Sequence, residues 1–225
     1  MIHIPEEIKN KLDILVGCEN HIGNIPSGVW HELRVDFLKD LSRNLLRNPS
    51  TKSVADIATF AYWARSANLE RLRKKHNTQA TLQRGLGLLF HICPSNVPVN
   101  FAFSLAFGLL SGNTNVLRLP SKEHPTFDLM ITAIDQLLED TRYKALKNAI
   151  FIIRYPHDDA INAFWLLQAD ARMIWGGDET IKRMRQYPTT PKCREITFAD
   201  RYSISTLKAD ALLSLNDEQL ERLCL

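Results

Sequence analysis

The chain has 225 residues, 45% of them apolar and 24% charged, with a net charge of +3. That composition fills a substantial core and excludes a disordered, fibrous or low-complexity protein. The charge surplus is small and its basic residues are scattered among acidic ones, which argues against a nucleic-acid partner. The four cysteines (Cys18, Cys93, Cys193 and Cys224) form no CxxC and no close pair, so neither a zinc site nor a disulfide framework is expected. Charges run throughout the N-terminal segment and no apolar stretch approaches membrane-spanning length. A reduced, soluble, cytoplasmic protein with no membrane span is the expectation.

In chain order, the first third reads as helical. Trp30, Leu33, Phe37, Leu38, Leu41 and Leu45 recur at helical spacing, and Asn48-Pro49-Ser50 ends that helix. Ser53 is placed to cap a second helix that runs through Leu69 and ends in Arg71, Arg73, Lys74, Lys75 and His76, cations suited to the negative end of the helix dipole. From residue 85 the pattern changes to short apolar runs alternating with amphipathic stretches, the mark of βαβ units. Strands are predicted at 85–93, 115–119, 149–154 and 171–175, with helices at 99–110, 126–140, 158–168 and 178–186 between and after them. Further extended segments are expected at 194–198 and 203–207. The expected fold is α/β, a Rossmann-like doubly wound parallel sheet preceded by a helical segment. The expected units are 1–80 (helical), 81–207 (dinucleotide-binding) and 208–225 (the start of a C-terminal region cut short).

Ligands of such sheets bind beyond the carboxyl ends of the strands, which directs attention to three turns. In Cys93-Pro94-Ser95-Asn96-Val97-Pro98, the Asn96 amide is of the right type to donate to a carbonyl oxygen as it gains negative charge. Alternatively, Ser95 or Asn96 simply caps the following helix. In Arg118-Leu119-Pro120-Ser121-Lys122, a cation, a hydroxyl and a second cation suit ribose hydroxyls or a phosphate, while Ser121 also fits a helix cap. In Trp175-Gly176-Gly177-Asp178, the small residues let backbone amides approach a pyrophosphate, whereas Asp178 and Glu179 oppose an anion there.

Taken in order, four segments resemble the acyl-CoA reductase family of the LuxC type, within the aldehyde dehydrogenase superfamily. They are Gly87 to Pro98, Leu110 to Ser121, Ile174 to Gly177, and Phe198 to Ser203. The resemblance implies an aldehyde dehydrogenase-like fold and reduction of an acyl-CoA or acyl-protein thioester to a fatty aldehyde, with NADP(H) as cofactor. It implies Asn96 as the oxyanion-stabilising catalytic residue, and Arg118, Ser121, Lys122, Gly176 and Gly177 as cofactor-binding residues. Serine at 121 beside Lys122 accommodates a 2′-phosphate that a glutamate would repel. The family's nucleophilic cysteine lies in a segment without a counterpart here. Cys224 sits instead at what reads as the end of an amphipathic helix, and Cys93 reads as buried packing. At the family's general-base position stands Thr197, with Glu195 on the same strand face. Exposed apolar surface is expected, and with it self-association or union with the missing C-terminal part.

Overall fold

A computed structural model describes residues 1–18, 21–23, 25–76 and 82–224. Short elements open the chain: β1 (Ile2–His3), α1 (Glu6–Lys9), β2 (Asp13–Val16) and β3 (His21–Ile22). A helical group follows, with α2 (Glu32–Arg47), α3 (Pro49–Lys52), α4 (Ala55–Trp63) and α5 (Ser66–His76). The alternating part comprises β4 (Leu88–Ile92), α6 (Asn100–Leu110), β5 (Thr114–Leu119), α7 (Pro125–Leu138), β6 (Ile150–Arg154), α8 (Asp159–Gln168), β7 (Ala171–Trp175), α9 (Asp178–Arg185) and β8 (Arg194–Phe198). Two helices close it, α10 (Ala209–Leu213) and α11 (Asp217–Cys224).

The main sheet has the order β2-β6-β5-β4-β7-β8. Its last five strands run parallel, while β2 is antiparallel to β6. Counting from β4, the parallel part therefore has the doubly wound order 3-2-1-4-5. All five residues of β4 are buried, because a central parallel strand is covered on both faces. One face of the sheet presents Leu117, Leu119, Ile150 and Ile152 to a core that includes Phe37, Leu41, Phe60, Leu105 and Met130 from the helices. The other presents Phe90, Ile92, Phe151 and Ile153 to Trp165 of α8 and Ile181 and Met184 of α9. The helical group is fastened to the sheet unit by buried Arg34, whose guanidinium donates to the carbonyls of Leu109 in the last turn of α6 and of Asn113 just past it. Burial draws the Arg34 pKa down to about 10.

Three expectations need correcting. The helix predicted from Ser53 through His76 is two helices, broken between Trp63 and Ser66, and Ser53 caps the C-terminal end of α3 instead of starting α4. The Asn68 side-chain amide donates to the Trp63 carbonyl at 2.7 Å, satisfying a group that the break exposes. Residues 203–207 are exposed and lie in no strand. Near the N-terminus, β2 supplies a sheet edge that the helical reading of the first third omitted. Towards β7 and β8 the helices run out, so Leu89, Met173, Trp175 and Phe198 form a small separate cluster beside Ile196, which is 45% exposed.

Candidate functional site

In this strand order the connections from the adjacent strands β4 and β7 leave in opposite directions, towards β5 and β8, which opens a crevice at the carboxyl ends of β4 and β7. A cavity of about 470 Å³ lies there. The turn after β4 supplies Cys93, Ser95 and Asn96, the end of β5 supplies Arg118 and Ser121, and the turn after β7 supplies Gly176 and Gly177. Five of the six residues singled out from sequence are thus brought together. Lys122 is the exception, exposed beside Ser121 and outside the cavity lining.

The caps considered for these residues are not formed. Val99 stands at the N-terminus of α6 with no side-chain cap, and the exposed Asn96 side chain has no partner among the described residues. For α7 the capping group is His124, whose Nδ1 accepts the Thr126 N–H at 3.2 Å. Ser121 instead donates to the Tyr155 carbonyl at 3.2 Å, joining the turns after β5 and β6.

Arg118 carries the site's clearest electrostatic feature. Its guanidinium lies over the Tyr155 ring, 4.8 Å from the centroid, and its buried Nε has no hydrogen-bond partner among the described residues. The aromatic face accommodates the cation without a carboxylate, so its charge is left available to a ligand. Burial raises the Tyr155 pKa, and its hydroxyl donates to Asn162 Oδ1 at 2.8 Å, which keeps the ring a neutral phenol.

Trp175 forms part of the cavity wall and stacks on Phe198 with centroids 3.8 Å apart. Its indole N–H donates to Ser104 Oγ at 3.0 Å, and that hydroxyl is 2.7 Å from His91 Nδ1. The rest of this network follows by elimination. Asn115 Nδ2 donates to the carbonyls of Asn113 and Ala149, so its Oδ1 accepts, and His91 Nε2, at 3.1 Å, carries the proton. His91 Nδ1 is then an acceptor, and Ser104 gives its one proton to this stronger acceptor over Met173 Sδ, which lies 3.0 Å away, while a Ser104 lone pair receives the Trp175 N–H.

The cysteines and the two general-base candidates are less favourable for chemistry. Cys93 lines the cavity, but burial pushes its thiol pKa up despite the nearby Arg118 charge. Glu195 is drawn into ion pairs with Arg172 at 2.7 Å and Arg185 at 2.6 Å, and neither it nor Thr197 lines the cavity. Burial raises the Glu195 pKa, but the hydrogen bond and charge of Arg185, together with Arg172, outweigh it and hold the carboxyl below its usual range. Cys224 ends α11, and its side chain lies outside what is described.

Sequence reasoning gave no role to Tyr155, Trp175, Thr180 or Arg183. Tyr155 directly follows β6, where the strand-end rule points as well. Thr180 and Arg183 follow Gly177 at three-residue spacing, one face of α9 turned to the cavity.

The family model described as acyl-CoA reductase (LuxC) matches residues 50–223. A long-chain acyl-protein thioester reductase of Aliivibrio fischeri is 23% identical over 125 residues, which make up 55% of this chain and 25% of that protein. The chain therefore spans about a quarter of the length of this curated relative. Among solved structures, 1-pyrroline-5-carboxylate dehydrogenase of Thermus thermophilus aligns with 75% of this chain and 38% of its own, at a TM-score of 0.55 and 13% identity. Proline utilization A of Bradyrhizobium japonicum aligns with 73% of this chain and 19% of its own, at a TM-score of 0.54 and 15% identity. The fold is the Rossmann-like α/β unit of aldehyde dehydrogenases.

Proposed function

The chain belongs to the acyl-CoA reductase (LuxC) family, and from that premise we propose that it forms the NADP(H)-binding part of a reductase converting an acyl-CoA or acyl-protein thioester to a fatty aldehyde. The observation that carries this reading is the cavity at the switch point of the sheet, where Asn96, Arg118, Ser121, Gly176 and Gly177 converge. The buried, unpartnered Nε of Arg118 fits a polar ligand, and the two glycines leave the backbone open to a pyrophosphate. When bound, the dinucleotide supplies hydride to the acyl carbon.

The chain's own groups bind and orient. Arg118 holds the adenosine ribose, and Ser121 with Lys122 receives the 2′-phosphate, with no carboxylate at position 121 to repel it. The Asn96 amide, free of other partners, donates to the thioester oxygen as charge builds there. Cys93 is kept protonated by burial and does not serve as the nucleophile. That last observation favours a second reading, a nucleotide-binding module without chemistry of its own, with the attacking thiolate supplied from elsewhere.

Fluorescence titration with NADPH and NADH tests the cofactor assignment, because Trp175 lines the cavity. NADPH should bind more tightly, and Ser121→Glu should weaken it on the order of tenfold while sparing NADH, since one added like charge near an exposed site is worth about 1 kcal/mol. Tighter NADH binding by the unaltered chain would sink the NADP(H) preference.

The cluster of Leu89, Met173, Trp175 and Phe198 near the β8 edge gives a further expectation. The purified chain should self-associate through this face or take up the remainder of a longer family member on it. Light scattering at the monomer mass across a concentration series would count against it. A cytoplasmic location goes with this reading, and among the described residues no helix is long and apolar enough to cross a membrane.

A further inference from the structure

Asp200 lies just past β8, and its carboxylate accepts the Asp178 N–H at 3.1 Å. Asp178 opens α9, so this amide is one of the donors that a helix leaves without an internal partner. The carboxylate comes so close to the turn that a Cβ on Gly177 would stand 2.8 Å from one of its oxygens and 2.9 Å from the other. Gly176 and Gly177 of the same turn border the cavity, as do Thr180 and Arg183 of α9. An anion belonging to the chain therefore sits at the turn where the cavity offers backbone amides to a ligand anion.

Residues 199–207 are exposed and belong to no helix or strand. Among the described residues, the bond between Asp178 and Asp200 is the only hydrogen bond or ion pair that ties them to the rest of the chain. A single exposed hydrogen bond is readily exchanged for one to a ligand. The dipole of α9 does not need Asp200 for its compensation, because Asp178 and Glu179 already lie in the first turn. Arg183 has no ion-pair partner among the described residues, which leaves a cation beside the cavity for an incoming anion.

We propose that the Asp200 carboxylate is a built-in competitor for the phosphates of a dinucleotide, tethering residues 199–207 at the Gly176-Gly177 turn until the ligand displaces it. The inference rests on the dinucleotide reading of the cavity. It makes Asp200 a specificity-setting residue. A weakly charged ligand leaves the tether closed, whereas a pyrophosphate gains the Asp178 amide and Arg183 together and releases the strap that follows β8.

The test compares the unaltered chain with Asp200→Ala and Asp200→Asn, using NADPH and inorganic pyrophosphate as separate probes. Asp200→Ala should bind both about tenfold more tightly, the gain from removing a competing charge-assisted hydrogen bond. Asp200→Asn, which keeps an acceptor without the charge, should fall between. Tryptic cleavage after Arg201, within the tethered segment, should quicken when NADPH is added to the unaltered chain and should already be fast in Asp200→Ala. Equal or weaker pyrophosphate binding by Asp200→Ala, or cleavage after Arg201 that a bound ligand leaves unchanged, would overturn the tether. NADPH bound equally by all three chains would reject the tether and leave the dinucleotide reading standing. Tighter pyrophosphate binding by Asp200→Ala with no NADPH binding by any chain would support the tether and reject that reading.

Discussion

Lowering the pH from 6.5 to 4 is expected to remove about 3 kcal/mol of folding stability through one side chain, His91. Burial brings the His91 pKa down from 6.5 to about 4, against the opposing effect of its hydrogen bond to Asn115. Between those two values the unfolded chain binds a proton that the folded chain refuses. Acid therefore favours unfolding across that window, and the contribution is complete above pH 6.5. The carboxylates held below their usual range, Glu32, Asp140, Asp158 and Glu195, start from ordinary values of 4.5 or 3.8 and begin to lose their contributions near those values, at the acid end of the His91 window and below it. Urea denaturation at half-unit pH steps should show a slope approaching one proton between pH 6 and 5, flattened in His91→Asn. A flat profile in the unaltered chain would refute the assignment. Protonating His91 Nδ1 in the folded chain would also take away the acceptor that orients Ser104, so Trp175 emission should shift as the pH nears 4.

Gly108→Ala should destabilise the protein by about 3 kcal/mol, although helix propensity alone predicts a gain of about 1 kcal/mol for this change inside a helix. Gly108 lies within α6, and a Cβ there would stand 1.7 Å from Asn115 Oδ1 and 3.3 Å from the His91 ring. Neither neighbour can retreat cheaply. Asn115 is fully buried and holds three hydrogen bonds, two donated by its Nδ2 and one accepted from His91. Displacing it leaves the buried His91 N–H without a partner, at a cost of about 1–3 kcal/mol, and forces the surrounding core to shift, although the carbonyls of Asn113 and Ala149 keep Arg34 and the Asn115 backbone N–H. The comparison of Gly108→Ala, Asn115→Ala and the double variant by urea denaturation checks this. The double variant should be more stable than the sum of the single losses implies, because removing the amide removes the clash. Strict additivity, or a rise in Tm for Gly108→Ala, would show that the close approach is not what demands glycine.

What could be read before folding was whatever one segment determines alone. The central strands were legible because burial on both faces makes β4 and β6 apolar but for His91 and the terminal Arg154, while β5 shows Val116, Leu117 and Leu119. By contrast β2 is a short edge strand whose four residues, Asp13 to Val16, sit among charges with no alternation long enough to register. The break between α4 and α5 has no proline or glycine to announce it, and it is stabilised by a side-chain bond from Asn68 that periodicity does not encode. Within the site, Asn96, Ser121, Gly176 and Gly177 could be named because each lies in a turn after a strand, and Arg118 because it stands at the carboxyl end of one. The stacking of Arg118 on Tyr155, the anchoring of Trp175 by Ser104 and the seat of Asp200 join residues from separate elements. Only the fold brings such partners into contact.

The edge strand β2 also bears on how the chain must be made. Its partner β6 lies most of the sheet unit later in sequence, with Asp13 opposite Arg154. During synthesis from the N-terminus, Ile14 and Val16 leave the ribosome long before the strand that will pair with them exists. The last strand to join that side of the sheet is thus among the first segments to be translated, and it must be kept from other partners until β6 emerges.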